Sequence, residues 1–374
     1  MKEQWDKKYI LICLTSVIAT GCLLWLLFLN NSDPGRKEES SGIELEYSDR
    51  YDMHMNNTLS QVLDGIMSIR KVYWLSDDDK VAPEPDQSRF GTTDDPSTLQ
   101  WLLDEAADLL EGQELYFSTE TKIIPKTKVT YYLDDTILAI TWKEKIDKMT
   151  FTLSEVKIAD ASQFRRFLAG GEFGSAVQTT TSSMAKSVNA VVAISGDFYK
   201  HRRMGVITYD GKVMRFDGKH LDTCYVDDKG DLLFTYRGKV KKKADAQAFV
   251  DENNIRFSFA FGPILIDEGK QVKINSYAIG EIGDKYSRAG IGQKGDLHYM
   301  LATVNHQYYG NVPNIWEFAK AVSRFGCDKF YTLDGGQTAT LVMNDKVINQ
   351  VDYGAQRQIS DIIYFATAIP DGND

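Results

Sequence analysis

Apolar and polar positions change rhythm along this chain, and each change predicts a different kind of element. Residues 9–29 are almost continuously apolar, about the 20 positions needed to cross a bilayer core. Residues 32–52 are charged and polar and predict a linker. Leu59, Val62, Leu63, Ile66 and Ile69 then recur at helical spacing. An acidic, Pro-containing stretch over 77–96 predicts a loop. Asp95-Pro96 opens a second helix as N-cap and first position, with the stripe Leu99, Leu102, Leu103, Ala106, Leu109 and Leu110. The two helices suit a membrane-proximal stalk or a dimerising pair, or a stripe that packs on the neighbouring domain.

From Lys122 the period becomes two. Ile137-Leu-Ala-Ile-Thr-Trp142 and the run over 149–158 read as strands joined by a turn at Asp147. Residues 161–168 predict a short helix, ended by Gly170-Gly171. A helix closing near Val188 leads into a buried strand over 190–194, followed by Ser195-Gly196-Asp197-Phe198-Tyr199. Short strands alternate with Asp/Gly turns up to a strand at 257–261. A hairpin at 293–297 leads into a strand over 298–304. Asn314 and Glu317 form a capping box for a helix whose buried face is Ile315, Phe318, Ala319, Val322 and Phe325, and Gly326 ends it. The apolar run 330–333 then stops at Asp334-Gly335-Gly336, before Leu341-Val342-Met343 and a turn at Asn344-Asp345. That reads as strand, tight turn, strand, turn, strand.

The pattern predicts an α+β chain: a mixed β-sheet domain with flanking helices over 121–374. Before it come a cytoplasmic stretch (1–8), a transmembrane helix (9–29), and a linker with a helical stalk segment (30–120). Hydrophobic residues make up 43% of the 374, enough for a sizeable core. The formal net charge of −10 disfavours nucleic acid, whose binders carry a basic face. Lys2, Lys7 and Lys8 precede the apolar run and Asn30-Asn31-Ser32-Asp33 follow it, which orients the N-terminus inside and the body outside the cell. A cleaved signal peptide has a shorter core ending in small residues, whereas this run ends Leu-Leu-Phe-Leu-Asn-Asn. Ala19-Thr20-Gly21-Cys22 has the look of a lipoprotein box, but apolar residues follow it. The expected setting is therefore a single-pass cell-membrane protein with an extracellular C-terminal domain. Cys13, Cys22, Cys224 and Cys327 include no C-x-x-C and form no metal motif. Pairing of Cys224 with Cys327 stays open for an extracytoplasmic body.

Paired glycines after a strand allow backbone conformations closed to other residues and a close ligand approach. Asp334 at that strand tip suits an anion or sugar site, or equally a turn that the acid caps itself. Five pieces in order resemble the phosphodiester glycosidase family: Ile194-Ser-Gly-Asp-Phe-Tyr199, Phe261-Gly-Pro-Ile-Leu-Ile266, Ser287-Arg-Ala-Gly-Ile-Gly292, Leu333-Asp-Gly-Gly-Gln-Thr-Ala-Thr340 and the stretch from Arg357 to Phe365. The likeness is greatest to bacterial, membrane-anchored members linked to exopolysaccharide or cell-wall metabolism.

The resemblance implies hydrolysis of a sugar-1-phosphodiester in a glycan, without a cofactor. It points to Asp197 or Asp334 as the working carboxylate and to Arg288 as the phosphate contact. Arg202 or Arg203 supplies a second contact, because a planar guanidinium binds two phosphate oxygens at once. Backbone N–H groups of Gly335 and Gly336 are candidates for an anion nest, with Gln337 and Thr338 lining the site. His306 is a candidate acid or base. Phe198 and Tyr199 fit a sugar platform or the core equally well. Asn305-His306-Gln307 replaces the family's Asp-Gly-Arg, which puts Asn305 in the substrate-binding set and removes an acid and a guanidinium. Two alternatives stand beside this reading: a non-catalytic glycan-binding or scaffold module, and a metal-dependent hydrolase using Asp197 and Asp334. No dedicated metal site is expected.

Overall fold

A computed structural model of the chain describes residues 74–76, 80–278, 282–305 and 311–370. The expected membrane segment, the linker, the helix over 59–69 and His306 lie outside the described residues. Among the described residues no helix is long and apolar enough to cross a membrane.

In chain order the strands are β1 (Phe90–Thr93), β2 (Val129–Leu133), β3 (Ile137–Ile146), β4 (Met149–Ile158), β5 (Phe164–Leu168), β6 (Val192–Ser195), β7 (Ile207–Tyr209), β8 (Lys212–Arg215), β9 (Thr223–Val226), β10 (Leu232–Thr235), β11 (Phe257–Phe259), β12 (Ile264–Asp267), β13 (Lys270–Gln271), β14 (Arg288–Gly295), β15 (His298–Val304), β16 (Lys329–Leu333), β17 (Leu341–Met343), β18 (Lys346–Val347) and β19 (Asp361–Phe365). The helices are α1 (Pro96–Glu105), α2 (Ala107–Leu110), α3 (Thr181–Ser187), α4 (Lys243–Glu252) and α5 (Ile315–Val322). A nine-stranded sheet runs β1-β2-β3-β4-β15-β14-β16-β12-β13. Two five-stranded sheets run β10-β9-β11-β7-β8 and β18-β17-β6-β19-β5.

Strand alternation sorts the large sheet's side chains into two cores. Trp142, Phe151, Leu153, Met300, Ala302 and Phe330 face one side, together with α1, α2 and α5. Ala139, Val156, Tyr299, Leu301, Tyr331 and Leu333 face the other, together with residues of the two smaller sheets. The β3–β4 hairpin turns through Asp147 and Lys148, both at positive φ (47° and 69°), the geometry that matches strand twist in a two-residue turn.

The expected helices over 95–110 and 314–325 form, with their caps. Asp95 accepts the Ser97 amide at 3.1 Å. Asn314 and Glu317 exchange hydrogen bonds of 2.9 and 3.0 Å. The stripe Leu99, Leu102, Ala106, Leu109 and Leu110 is buried against the large sheet, where each leucine contributes about 1.5–3 kcal/mol. This corrects the stalk or dimer reading of that helix.

Three further expectations are corrected. Residues 161–168 are not a helix but a 3₁₀ turn, Ala161–Gln163, followed by β5, which pairs with β19 along its whole length. Asp334-Gly335-Gly336 is not a hairpin turn. It carries the chain from β16 in the large sheet to β17 in a small one. Cys224 and Cys327 are free, buried thiols. They sit in the two different cores on opposite faces of the large sheet, so no bridge forms.

Candidate active site

The ends of β6, β14, β15 and β16 converge. Asp334 follows β16, and its amide donates to the Gly196 carbonyl at 3.2 Å, tying the 195–199 loop to the large sheet. Arg288 begins β14 and Asn305 follows β15 on neighbouring strands. The Gly336 amide donates to the Ser287 carbonyl at 2.8 Å. A side chain at Gly335 would collide with that same carbonyl, so only glycine lets the two loops close together.

Beneath this junction lies a buried ion cluster. Arg166 on β5 pairs with Asp197 at 3.2 Å and with Asp361 at 2.8 Å, with every side chain fully buried. Asp197 also accepts the amides of Tyr199 and Ala260 at 2.8 and 2.9 Å. Burial pushes the Arg166 pKa down, but the two carboxylates more than reverse this and keep the guanidinium charged. Burial raises the Asp361 carboxyl, while Arg166 opposes it. Gly196 packs on Asp361, where any side chain would clash. The structure thus places Asp197, expected as a working carboxylate, inside this cluster, paired with Arg166 and bonded to two backbone amides. Removing one member of such a cluster leaves an uncompensated buried charge, at about 3–5 kcal/mol.

Asp334 is different. It is buried, and among the described residues its Oδ2 has no hydrogen-bond partner. Burial raises its pKa to about 7, against the pull of Thr338, Arg202 and Arg357. No well-formed hydrogen bond joins it to Thr338, whose buried Oγ1 is also unpartnered. Leaving a buried polar group unmatched costs about 1–3 kcal/mol, a strain that persists most often at functional sites.

Phe198 organises the basic groups. Arg202 and Arg357 lie over its ring at 5.3 and 5.2 Å. His201 stacks on it at 4.5 Å, and Arg202 also lies over Phe261 at 5.3 Å. Among the described residues neither Arg202 nor Arg357 has a carboxylate within ion-pair distance. With its ring against cations, Phe198 is a scaffold for guanidiniums rather than an open sugar platform. Tyr199 is a core residue, 3% exposed and stacked on Phe173.

The remaining expected residues divide. Gln337 donates to the Ala355 carbonyl at 3.0 Å and holds the loop that carries Arg357. Asn305 is held in a clamp with Ala339 and Asn349. Its amide bonds Ala339 O at 3.0 Å, and its oxygen accepts Asn349 at 2.7 Å. The Gly336 amide is taken by Ser287, so it gives no nest donor. Arg288 is buried, bonds the Asp284 carbonyl at 2.9 Å and lies over Tyr286. Arg203 is exposed. Among the described residues no group of His, Cys, Asp and Glu is placed to hold a metal ion.

Residues 188–366 match the sequence model of the phosphodiester glycosidase family. That span is what the chain shares with phosphodiester glycosidases. The match spans Asp334, Arg202, Arg357 and the loops that hold them. The SPbeta prophage-derived protein YomE of Bacillus subtilis (strain 168) is 25% identical over 263 residues, 68% of this chain. The chain spans little more than a third (37%) of that relative's length. The catalytic domain of zebrafish N-acetylglucosamine-1-phosphodiester alpha-N-acetylglucosaminidase, auto-inhibited by its pro-peptide, aligns at a TM-score of 0.49 and 17% identity, over 78% of this chain and 100% of that one. A hypothetical protein from Synechocystis aligns at 0.45 and 14%, over 63% of each chain.

The sequence reading missed three charged residues at and beneath this junction. Arg166 lay in a stretch read as helix, because Phe164-Arg-Arg-Phe-Leu168 spaces its apolar residues at i, i+3 and i+4 and carries no period-two signal for the strand it forms. Arg357 and Asp361 lay inside the closing motif, which was read only as a strand.

Proposed function

We propose that this chain hydrolyses a sugar-1-phosphodiester outside the cytoplasm, in glycan, exopolysaccharide or cell-wall metabolism. One observation carries the reading. A buried carboxyl with an unmatched oxygen, Asp334, feels two arginines, Arg202 and Arg357, that have no carboxylate within ion-pair distance among the described residues. Two such guanidiniums suit a phosphodiester anion. A carboxylate whose pKa is near 7 suits a general base. In the proposed step Asp334 takes a proton from water as its oxygen bonds the anomeric carbon. The bond from that carbon to the phosphate oxygen breaks with its electron pair, giving free sugar and a phosphomonoester. The arginines hold the phosphate charge throughout, and the weakly basic leaving oxygen needs little protonation.

The family match supports this hydrolase class. The extracytoplasmic setting rests on the apolar run 9–29 and the lysines before it, and protease digestion of intact cells tests it, since an enclosed C-terminal domain would resist. For the activity, the full-length protein in detergent is incubated with a panel of sugar-1-phosphodiesters in ¹⁸O water. The expected products are free sugar carrying the label at its anomeric oxygen and an unlabelled phosphomonoester. Label in the phosphate instead would mean P–O cleavage and sink the mechanism. Binding without turnover across the panel would favour a glycan-binding module.

A further inference from the structure

Strand β5 is the edge of its sheet and pairs only with β19, and its two adjacent arginines point to opposite faces. Arg166 enters the ion cluster with Asp197 and Asp361. Arg165 goes the other way and is 7% exposed. Its Nη2 donates to the Ser76 carbonyl at 2.9 Å. Its Nη1 is buried and, among the described residues, has no hydrogen-bond partner. A buried donor left unmatched is costly, more so on a charged group. Arg165 lines a cavity of about 440 Å³ at the open edge of β5, with Arg256, Tyr209 of β7 and Phe257 of β11. Asp334, Arg202 and Arg357 take no part in its walls.

The backbone adds a donor. The Ala169 amide bonds the Ser360 carbonyl and the Gln163 carbonyl accepts the Ala366 amide, so odd-numbered residues of β5 face β19 and even-numbered ones face away from it. The Phe164 carbonyl shows the same parity by accepting Arg256 Nη1 at 3.2 Å. The Arg166 N–H therefore points out of the sheet edge, where Arg166 lines the same cavity. Arg256 is fixed by a second bond, to the Ala161 carbonyl at 2.9 Å. Burial raises the pKa of Tyr364, opposite Arg165 on β19, to about 12, and both Arg165 and Arg256 pull against that rise, so the two cations converge on one spot. Asp210 also lines the cavity, but it is exposed and its charge is screened by water. Guanidiniums beside an outward backbone amide are the donor set of an oxyanion site. We infer that this cavity is a second oxyanion site, separate from the Asp334 pocket, that takes a phosphate or phosphomonoester with Arg165 Nη1 as its principal donor.

The test uses the full-length protein in detergent with Arg202→Ala and Arg357→Ala, so that phosphate held at the Asp334 pocket is not counted. Calorimetric titration with inorganic phosphate, and separately with methyl phosphate, is expected to show binding in this background. Adding Arg165→Gln is expected to weaken it about thirtyfold. Arg165→Lys, which keeps the charge but loses the planar fork, is expected to weaken it about fivefold. Thermal unfolding without ligand identifies the folded variants, and phosphate is expected to raise the Tm of the background protein more than that of R165Q. No binding of either probe by the background protein overturns the site. So does an affinity unchanged in R165Q, or unchanged in R165K where R165Q does not fold. Tighter binding of inorganic phosphate assigns the site to the free ion, and tighter binding of methyl phosphate to a phosphate carried on an ester; both keep it.

Discussion

Strand β14 runs between two buried carboxyl groups that share a strand framework and little else. At its Arg288 end is Asp334; at its Lys294 end is Glu155 on β4. Burial penalises the charge on both. Glu155 nevertheless has its pKa held below the usual range, because His298 and Lys294 outweigh that penalty. It accepts four hydrogen bonds: from the Tyr116 and Phe117 amides at 2.8 Å, and from Lys294 and His298 at 2.9 Å. Asp334 keeps an oxygen with no partner among the described residues, and its pKa rises to about 7. Desolvation is common to the two sites; the supply of donors is what differs. A carboxyl given its full set of donors is fixed as a charge and ties the 113–117 segment to the sheet. One denied them keeps a proton that it can exchange near neutrality.

Swapping the two acids for neutral residues breaks this comparison most sharply. Asp334→Asn is expected to lower kcat/KM by about a thousandfold, within the range for a lost general base, with no loss of stability at pH 8. Glu155→Leu is expected to do the reverse. It leaves Lys294 and His298 without their anion and costs about 3 kcal/mol in urea unfolding, while the folded fraction turns over normally. Sugar release normalised to folded protein measures both. Loss of stability in D334N with retained turnover would invert the assignment of the two sites.

The difference between these acids was not legible in the sequence, although much around them was. The α5 capping box, the Asp95-Pro96 helix start and the strands flanking Asp334 follow from local rules, because each depends on neighbours within a few positions. Asp334 itself was found from its glycines. The donors that decide a carboxyl's chemistry come from far away: Tyr116 and His298 for Glu155, Arg166 for Asp197. Asp197 looked as reactive as Asp334 because nothing near it in sequence revealed the arginine across the sheet edge. The helix reading of 161–168 hid that arginine, since two adjacent arginines resemble a solvated face. The clamp that Asn305 closes with Asn349 and the Ala339 carbonyl was likewise hidden, since its partners lie more than 30 positions away.

Removing the arginines sharpens the Asp334 side. Arg202→Ala with Arg357→Ala is expected to raise KM about thirtyfold, in keeping with charge-assisted bonds to phosphate. Because both arginines pull the Asp334 pKa down, their loss is also expected to move the acid limb of kcat/KM to higher pH. A weaker KM with an unmoved limb would show that the arginines bind substrate without feeling Asp334.

The smallest effect tests the cause of the contrast directly. With its pKa raised from 3.8 to about 7, Asp334 holds a proton in the folded state that the unfolded chain has already released between those values. Stability therefore falls as pH rises through this window and levels off above about 7. From pH 6 to pH 8 the Asp334 contribution is about 1 kcal/mol. The opposite shift at Glu155 contributes stability above its unfolded value, lost only as pH falls below about 4, so it is silent in this range. The wild-type minus D334N difference in unfolding free energy isolates the Asp334 part, because the Arg166 cluster is common to both proteins. It is expected to shrink from pH 6 to pH 8. A difference that stays flat would mean Asp334 is ionised throughout, and that donors, not their absence, surround it.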